Sequence, residues 1–212
     1  MSEEKSSPNE IPIRCKTIIV GDSGVGKTSI IGRYIKKYNE RTETTITASF
    51  TNKLEKIDNK LIYFEIWDTA GTERYRSMNN IFYKDSSICI MVYDITSKKS
   101  FENLENFWYK EIINSSSSPN IIFHVAGNKI DLYEDEEVKE EYVKKYCDKI
   151  GCEYGLISAK ENKSIDILFK KLGEKFINSD IYKNIKQNNN NNKRINFAVD
   201  SDEKKEPQKT CC

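Results

Sequence analysis

The sequence has a single histidine in 212 residues and no surplus of charge of either sign. His124 lies in an apolar run with no Cys or His cluster beside it. A satisfied structural histidine therefore outweighs a catalytic or metal-binding one, because those roles need partners. With 34 basic and 33 acidic residues the formal net charge is +1. No global field points at nucleic acid or at an anionic membrane. No apolar run reaches the roughly 20 residues needed to cross a bilayer. The opening MSEEKSSPNE is acidic and polar rather than a secretory leader, and Ser2 stands where N-myristoylation requires glycine. Cys15, Cys89, Cys147 and Cys152 make no CxxC pair and read as buried thiols of a reducing cytosol. The hydrophobic share, 37%, is low for a compact domain, so part of the chain is expected to be polar tail.

What is present is an alternation of short apolar runs with helical patterns. CKTIIV (15–20) reads as a buried strand and residues 28–38 as a helix. ASFTNKLEKI (48–57) and KLIYFEIW (60–67) flank the dipeptide Asp58–Asn59, a hairpin signal. Residues 87–95 and 120–128 are further buried strands. Between them Phe101, Leu104, Phe107, Trp108 and Ile112 recur at helical spacing behind Ser100, a candidate N-cap. Helices are expected at 137–150 and 164–177, with a last strand at 152–158. Strands alternating with helices predict an α/β sheet covered on both faces. This divides the chain into a disordered extension at 1–13, a domain at 14–181 and a disordered tail at 182–212 that contains NNNNN.

GDSGVGKT, Gly21–Thr28, fits G-x-x-x-x-G-K-[ST] between a strand and a helix. Glycines let the backbone N–H groups of Ser23, Gly24, Val25 and Gly26 converge on phosphate oxygens, and the helix adds the positive end of its dipole. Lys27 reaches the outer phosphates, the Thr28 hydroxyl can ligate Mg²⁺, and Ser29 follows in the first turn. The loop alone suits an ATP-using kinase equally well. GNKID (127–131) follows a strand, so Asn128, Lys129 and Asp131 lie on the edge where open α/β sheets bind ligands. The Asp131 carboxylate can accept from both N1–H and the exocyclic amine of guanine, a donor pair that adenine lacks. SAK, Ser158, Ala159 and Lys160, can supply an N–H to the guanine oxygen.

With WDTAG (67–71), these motifs resemble the Ras superfamily from about Lys16 to Phe176. ITASF (46–50), YFEIW (63–67), RYRSM (74–78), FYKDS (82–86) and MVYDIT (91–96) resemble its Rab branch, most closely the early endosomal members. The resemblance implies a P-loop small G domain, a mostly parallel sheet of six strands with five flanking helices, and a GTP/GDP switch with Mg²⁺. In it Thr45 ligates the metal when the γ-phosphate is present, with Thr44 the competing register. Asp68 holds a metal-bound water, and the Gly71 N–H contacts the γ-phosphate. Tyr38 is the candidate ring over the guanine. Ile46, Phe50, Trp67 and Phe82 would meet effectors. Thr47 replaces the usual glycine, and the segment after Lys27 is one residue shorter than in endosomal Rabs.

Thr72 occupies the position where most Rab proteins carry the glutamine that orients the attacking water, so the resemblance implies slow intrinsic hydrolysis. A GTP-bound docking module with negligible turnover is the alternative. The Rap branch, however, also reads DTAGTE and still cycles, and Rab-activating proteins bring a glutamine and an arginine of their own. Arg41 and Arg74 flank the switches and read by default as solvated charge. The terminal Cys211 and Cys212 match a doubly geranylgeranylated end, since one lipid chain binds only marginally whereas two anchor stably. Implied partners are an exchange factor, an activating protein, effectors, a GDP dissociation inhibitor and the prenylation machinery. The implied setting is the cytoplasmic face of endosomal or other vesicles with a cytosolic pool, as a monomer that binds no nucleic acid.

Overall fold

The structure, a computed structural model, describes residues 11–39, 49–69, 82–116 and 120–189. The strands are β1 (Ile13–Val20), β2 (Ser49–Ile57), β3 (Lys60–Asp68), β4 (Ile88–Asp94), β5 (Ile122–Asn128) and β6 (Glu153–Leu156). They form one sheet in the order β2-β3-β1-β4-β5-β6. Only the β2–β3 pair is antiparallel. The parallel strands therefore end together at one edge, where the nucleotide motifs lie.

Among the described residues the α-helices are α1 (Lys27–Tyr34), α2, α3 (Glu140–Ile150), α4 (Ile165–Ile177) and α5 (180–189), with a 3-10 helix at Ile130–Asp135. Helix α2 runs continuously through Lys98–Asn103, a π-helical turn at Leu104–Trp108 and Tyr109–Ser115. Strands β4 and β5 are buried at every position, as expected of central parallel strands covered on both faces. On one face Cys15, Ile19, Ile66 and Ile90 pack with α1 and α4 through Tyr34, Phe169 and Leu172. On the other, Ile18, Val20, Met91 and Val125 pack with α2 and α3 through Leu104, Trp108 and Val143. Each fully buried Ile, Leu or Phe contributes about 1.5–3 kcal/mol, so these two layers dominate the stability.

The hairpin expected at Asp58–Asn59 is there, both residues left-handed (φ 47 and 60), and Ile57 pairs with Lys60. That is the turn whose twist matches two antiparallel strands. Three boundaries differ from the sequence reading. Helix α1 stops at Tyr34 rather than 38. Lys36 turns left-handed (φ 59), Lys36 N–H donates to the Arg33 carbonyl and Lys37 N–H to the Gly32 carbonyl, a Schellman ending without its usual glycine. The cap of α2 is Ser97, whose Oγ accepts from Ser100 N–H at 3.3 Å, while Ser100 Oγ accepts from Asp94 N–H at 3.0 Å. Finally, the ordered domain continues past 182. Ser179 Oγ accepts from Tyr182 N–H at 3.3 Å and caps α5. Tyr182 is buried edge-on against Phe176 at 5.6 Å, and Ile181 and Ile185 rest on the core.

Candidate functional site

The loop from β1 to α1 sits where glycine is needed. Gly21 has φ 141, and a Cβ there would lie 2.2 Å from the Val92 carbonyl oxygen. Gly26 has φ 97, and a Cβ there would lie 2.2 Å from Asn128 Nδ2. Ser23 and Gly24 form the exposed tip, Val25 turns inward, and Thr28 and Ser29 open α1. Lys27 is 5% exposed, and its Nζ donates to the carbonyls of Gly21 and Asp22, both at 2.8 Å. Burial pulls the Lys27 ammonium down to about 8, against the opposing pull of Asp68 and Asp22. A cation this dry, ringed by backbone carbonyls, suits an anionic ligand.

Thr28 Oγ1 donates to Asp68 Oδ2 at 2.6 Å. A hydroxyl and a buried carboxylate side by side are the hard oxygen donors that suit Mg²⁺. Thr69, next along, anchors its hydroxyl on the Ile19 carbonyl at 2.8 Å.

The base-reading loops meet the phosphate loop through one side chain. Asn128 Nδ2 donates to the Val25 carbonyl at 2.8 Å, and its Oδ1 accepts from Ala159 N–H at 3.0 Å. Ser158 Oγ donates to Asp131 Oδ1 at 2.6 Å, which orients the carboxylate. Lys129 is left-handed (φ 70), and its Nζ pairs with Asp94 at 2.5 Å. Arg33 of α1 donates to the carbonyls of Ala159 at 2.6 Å and Lys160 at 2.5 Å, and its guanidinium lies 3.3 Å over the Tyr38 ring. The structure thus brings Tyr38, Lys160, Asp131 and the phosphate loop to one edge.

Trp67, the residue before Asp68 in β3, bridges Phe50 and Phe82, with ring centroids 5.0 and 5.1 Å apart. Phe50 is 48% exposed, and the other two are half-buried. His124 is buried as expected, but its Nε2 has no hydrogen-bond partner, so the structural histidine is not a satisfied one. Thr44, Thr45, Ile46, Gly71, Thr72, Arg41, Arg74, Cys211 and Cys212 lie outside the described residues.

The sequence reading missed a clasp on Asp22. Its carboxylate accepts from Asn103 Nδ2 at 2.5 Å and Trp108 Nε1 at 2.8 Å, both on α2. Trp108 had read as helix core. The π turn at Leu104–Trp108 sits directly beside this contact, and such turns recur at functional places.

The family model described as the Ras family matches residues 16–178. The chain belongs to the Ras family. Within it, the similarity is to Rab proteins. Over 161 residues the chain is 40% identical to "Ras-related protein Rab7" of Glycine max, covering 73% of this chain and 78% of that protein. It is 39% identical over 163 residues to "Ras-related protein Rab-21" of Homo sapiens, covering 76% of this chain and 72% of that one. "Ras-related protein RabJ" of Dictyostelium discoideum is 36% identical over 171 residues. As a Rab-type member of the Ras family the protein is a GTPase, binding GTP and GDP and hydrolysing one to the other. The expected six-stranded, mostly parallel sheet is the one observed. Among the described residues no helix is long and apolar enough to cross a membrane.

Proposed function

We propose that this GTPase is a membrane-anchored Rab switch of vesicular, endosome-type traffic, recruiting effectors when GTP-bound. The observation that carries the nucleotide reading is Asn128. It ties the Val25 carbonyl of the phosphate loop to the Ala159 N–H of the loop beside Asp131. Phosphate and base are thereby read by one rigid unit.

In this reading Ser23, Gly24, Val25 and Gly26 cradle the phosphates, Lys27 neutralises their outer charge, and Asp131 selects guanine. Thr28, with Thr45 and a water held by Asp68, would hold Mg²⁺, which when bound supplies charge neutralisation to the β- and γ-phosphates. The Gly71 N–H reports the γ-phosphate. Thr72 has a short hydroxyl and no amide fork for the attacking water, so the internal clock is slow and resetting depends on an activating protein. The row of exposed Phe50 and half-buried Trp67 and Phe82 supports an effector surface. Prenyl groups on Cys211 and Cys212, attached by the prenylation machinery and shielded in the cytosol by a GDP dissociation inhibitor, hold the protein on the vesicle. An exchange factor reloads it there.

The test is single-turnover GTP hydrolysis by wild type and Thr72→Gln, with and without a Rab-activating protein. The slow-clock reading expects glutamine to speed the intrinsic rate, and an unchanged rate removes its cause. Turnover that stays negligible even with the activating protein would favour a docking module instead. Thermal protection by GTP but not ATP tests Asp131, and a wholly cytosolic Cys211→Ser, Cys212→Ser form tests the anchor.

A further inference from the structure

Cys147 and Cys152 are five residues apart and share no CxxC spacing, yet the fold places them together. Cys147 lies in the last turn of α3, and Cys152 stands just before β6. Between them Gly151 turns left-handed (φ 68), and Cys152 N–H donates to the Cys147 carbonyl at 3.0 Å. That six-to-one hydrogen bond is the mark of a Schellman ending, a motif that presses the side chains of its first and last residues together. Here both residues are cysteines, Cys147 in the last turn of α3 and Cys152 directly after the left-handed Gly151. A disulfide needs Cα atoms about 4.4–6.8 Å apart, the kind of approach such a closed turn provides.

The two differ in access. Cys147 is 1% exposed, whereas Cys152 is only partly buried at the margin of the core. The neighbouring Cys147 thiol, helped by the Lys175 ammonium, draws the Cys152 thiol below its ordinary range, while Cys147 is itself held up by Cys152 and by burial. Cys15 and Cys89 are fully buried, and burial raises both. Reactivity follows thiolate character and exposure, so Cys152 stands out among the described cysteines. Among the described residues no group of three or more His, Cys, Asp or Glu could hold a metal, which sets this pair apart from a metal site.

We propose that Cys147 and Cys152 are a peroxide-responsive thiol pair that closes to an intramolecular disulfide. The Cys152 sulfur attacks one oxygen of hydrogen peroxide, the O–O bond breaks, and Cys152 becomes a sulfenic acid as one water leaves. The Cys147 sulfur then attacks the Cys152 sulfur, the S–O bond breaks, and the departing hydroxide takes the Cys147 proton as a second water. Two thiols lose two electrons and two protons, and one peroxide becomes two waters. The pair lies at the start of β6, opposite the edge that carries Ser158 and Asp131, so the modification does not occupy the nucleotide site.

The full-length GDP-loaded protein would be treated with hydrogen peroxide, unfolded in iodoacetamide and digested with trypsin. Cleavage after Lys145, Lys149 and Lys160 puts the two cysteines on separate peptides. The expected product is a dithiothreitol-sensitive link between peptides 146–149 and 150–160, with Cys15 and Cys89 still alkylated. In Cys147→Ser the expected product is a Cys152 sulfenic acid captured by dimedone. Cys152→Ser, at the more exposed site, should give neither link nor adduct. Overturning results are both thiols alkylated after treatment, a link from Cys152 to Cys89, or over-oxidation of Cys152 with Cys147 left free.

Discussion

Asn128 holds the Val25 carbonyl at 2.8 Å while receiving Ala159 N–H at 3.0 Å, so one buried amide joins two loops that are distant in sequence. In Asn128→Ala a buried carbonyl and a buried N–H both lose their partner, each at about 1–3 kcal/mol. GDP release should quicken by about tenfold or more, since each 1.4 kcal/mol is a factor of ten. A release rate within twofold of wild type in stopped-flow fluorescence would show that the amide is dispensable.

The Trp108 Nε1 bond to Asp22 is a hydrogen bond to a charged group, worth about 1.5–3 kcal/mol. Trp108→Phe keeps most of the ring volume and removes only that donor. The expected outcome is a lower unfolding midpoint in urea with faster GDP release. If stability alone fell and release did not change, the clasp on the phosphate loop would be structural and nothing more.

Lys27 links pH to the stability of the nucleotide-free protein. Its folded value of about 8 lies below the usual 10.5, chiefly through burial. Between those values the unfolded chain binds more protons, so this residue's contribution to stability rises with pH from about 8 to 10.5. Below 8 the full cost, roughly 3 kcal/mol, is present. Lys27→Met should therefore be more stable than wild type without nucleotide at pH 7, with the difference shrinking toward pH 10.5, and should lose nucleotide binding. Parallel stability curves for the two proteins from pH 7 to 10.5 would contradict this.

His124 acts in the same direction at acid pH. Burial takes its imidazole from 6.5 down to about 4, and Nε2 has no partner to offset the loss of water. The unfolded chain binds the extra proton between pH 4 and 6.5, so stability falls as pH drops through that window, by roughly 3 kcal/mol at the bottom. His124→Gln should flatten the acid limb of the denaturation midpoint. An identical limb would assign acid sensitivity to other groups.

How much of this was legible in the sequence depended on whether a contact was local. Gly21–Thr28, the Asp58–Asn59 turn and GNKID carry their geometry within a few residues, and each is found where its motif placed it. The Asp22 clasp was not legible because Asn103 and Trp108 stand 81 and 86 residues away, and an indole in a helical stripe looks the same whether or not its N–H has a task. The end of α1 was missed because Lys36 takes the left-handed turn that glycine usually marks. Helix α5 was hidden by the polar composition around it. Its signals, Ser179 as cap and Ile181 with Ile185 one turn apart, were present but weak beside the asparagine run. The thiol pair was invisible because five-residue spacing signals nothing until a helix ending folds it back.

Tyr182 also has a mechanical consequence. Its ring is wedged against Phe176, with the ammonium groups of Lys60 and Lys186 5.3 and 6.0 Å from its centre. Lys60 begins β3, so the wedge lies at the end of the sheet remote from the phosphate loop. Helix α5 is held at that end of the sheet by Ile181 and Ile185 as well as by this ring. If the tail is the anchor proposed above, its point of attachment to the domain and the nucleotide edge stand at opposite ends of the sheet, so a pull on one need not reach the other.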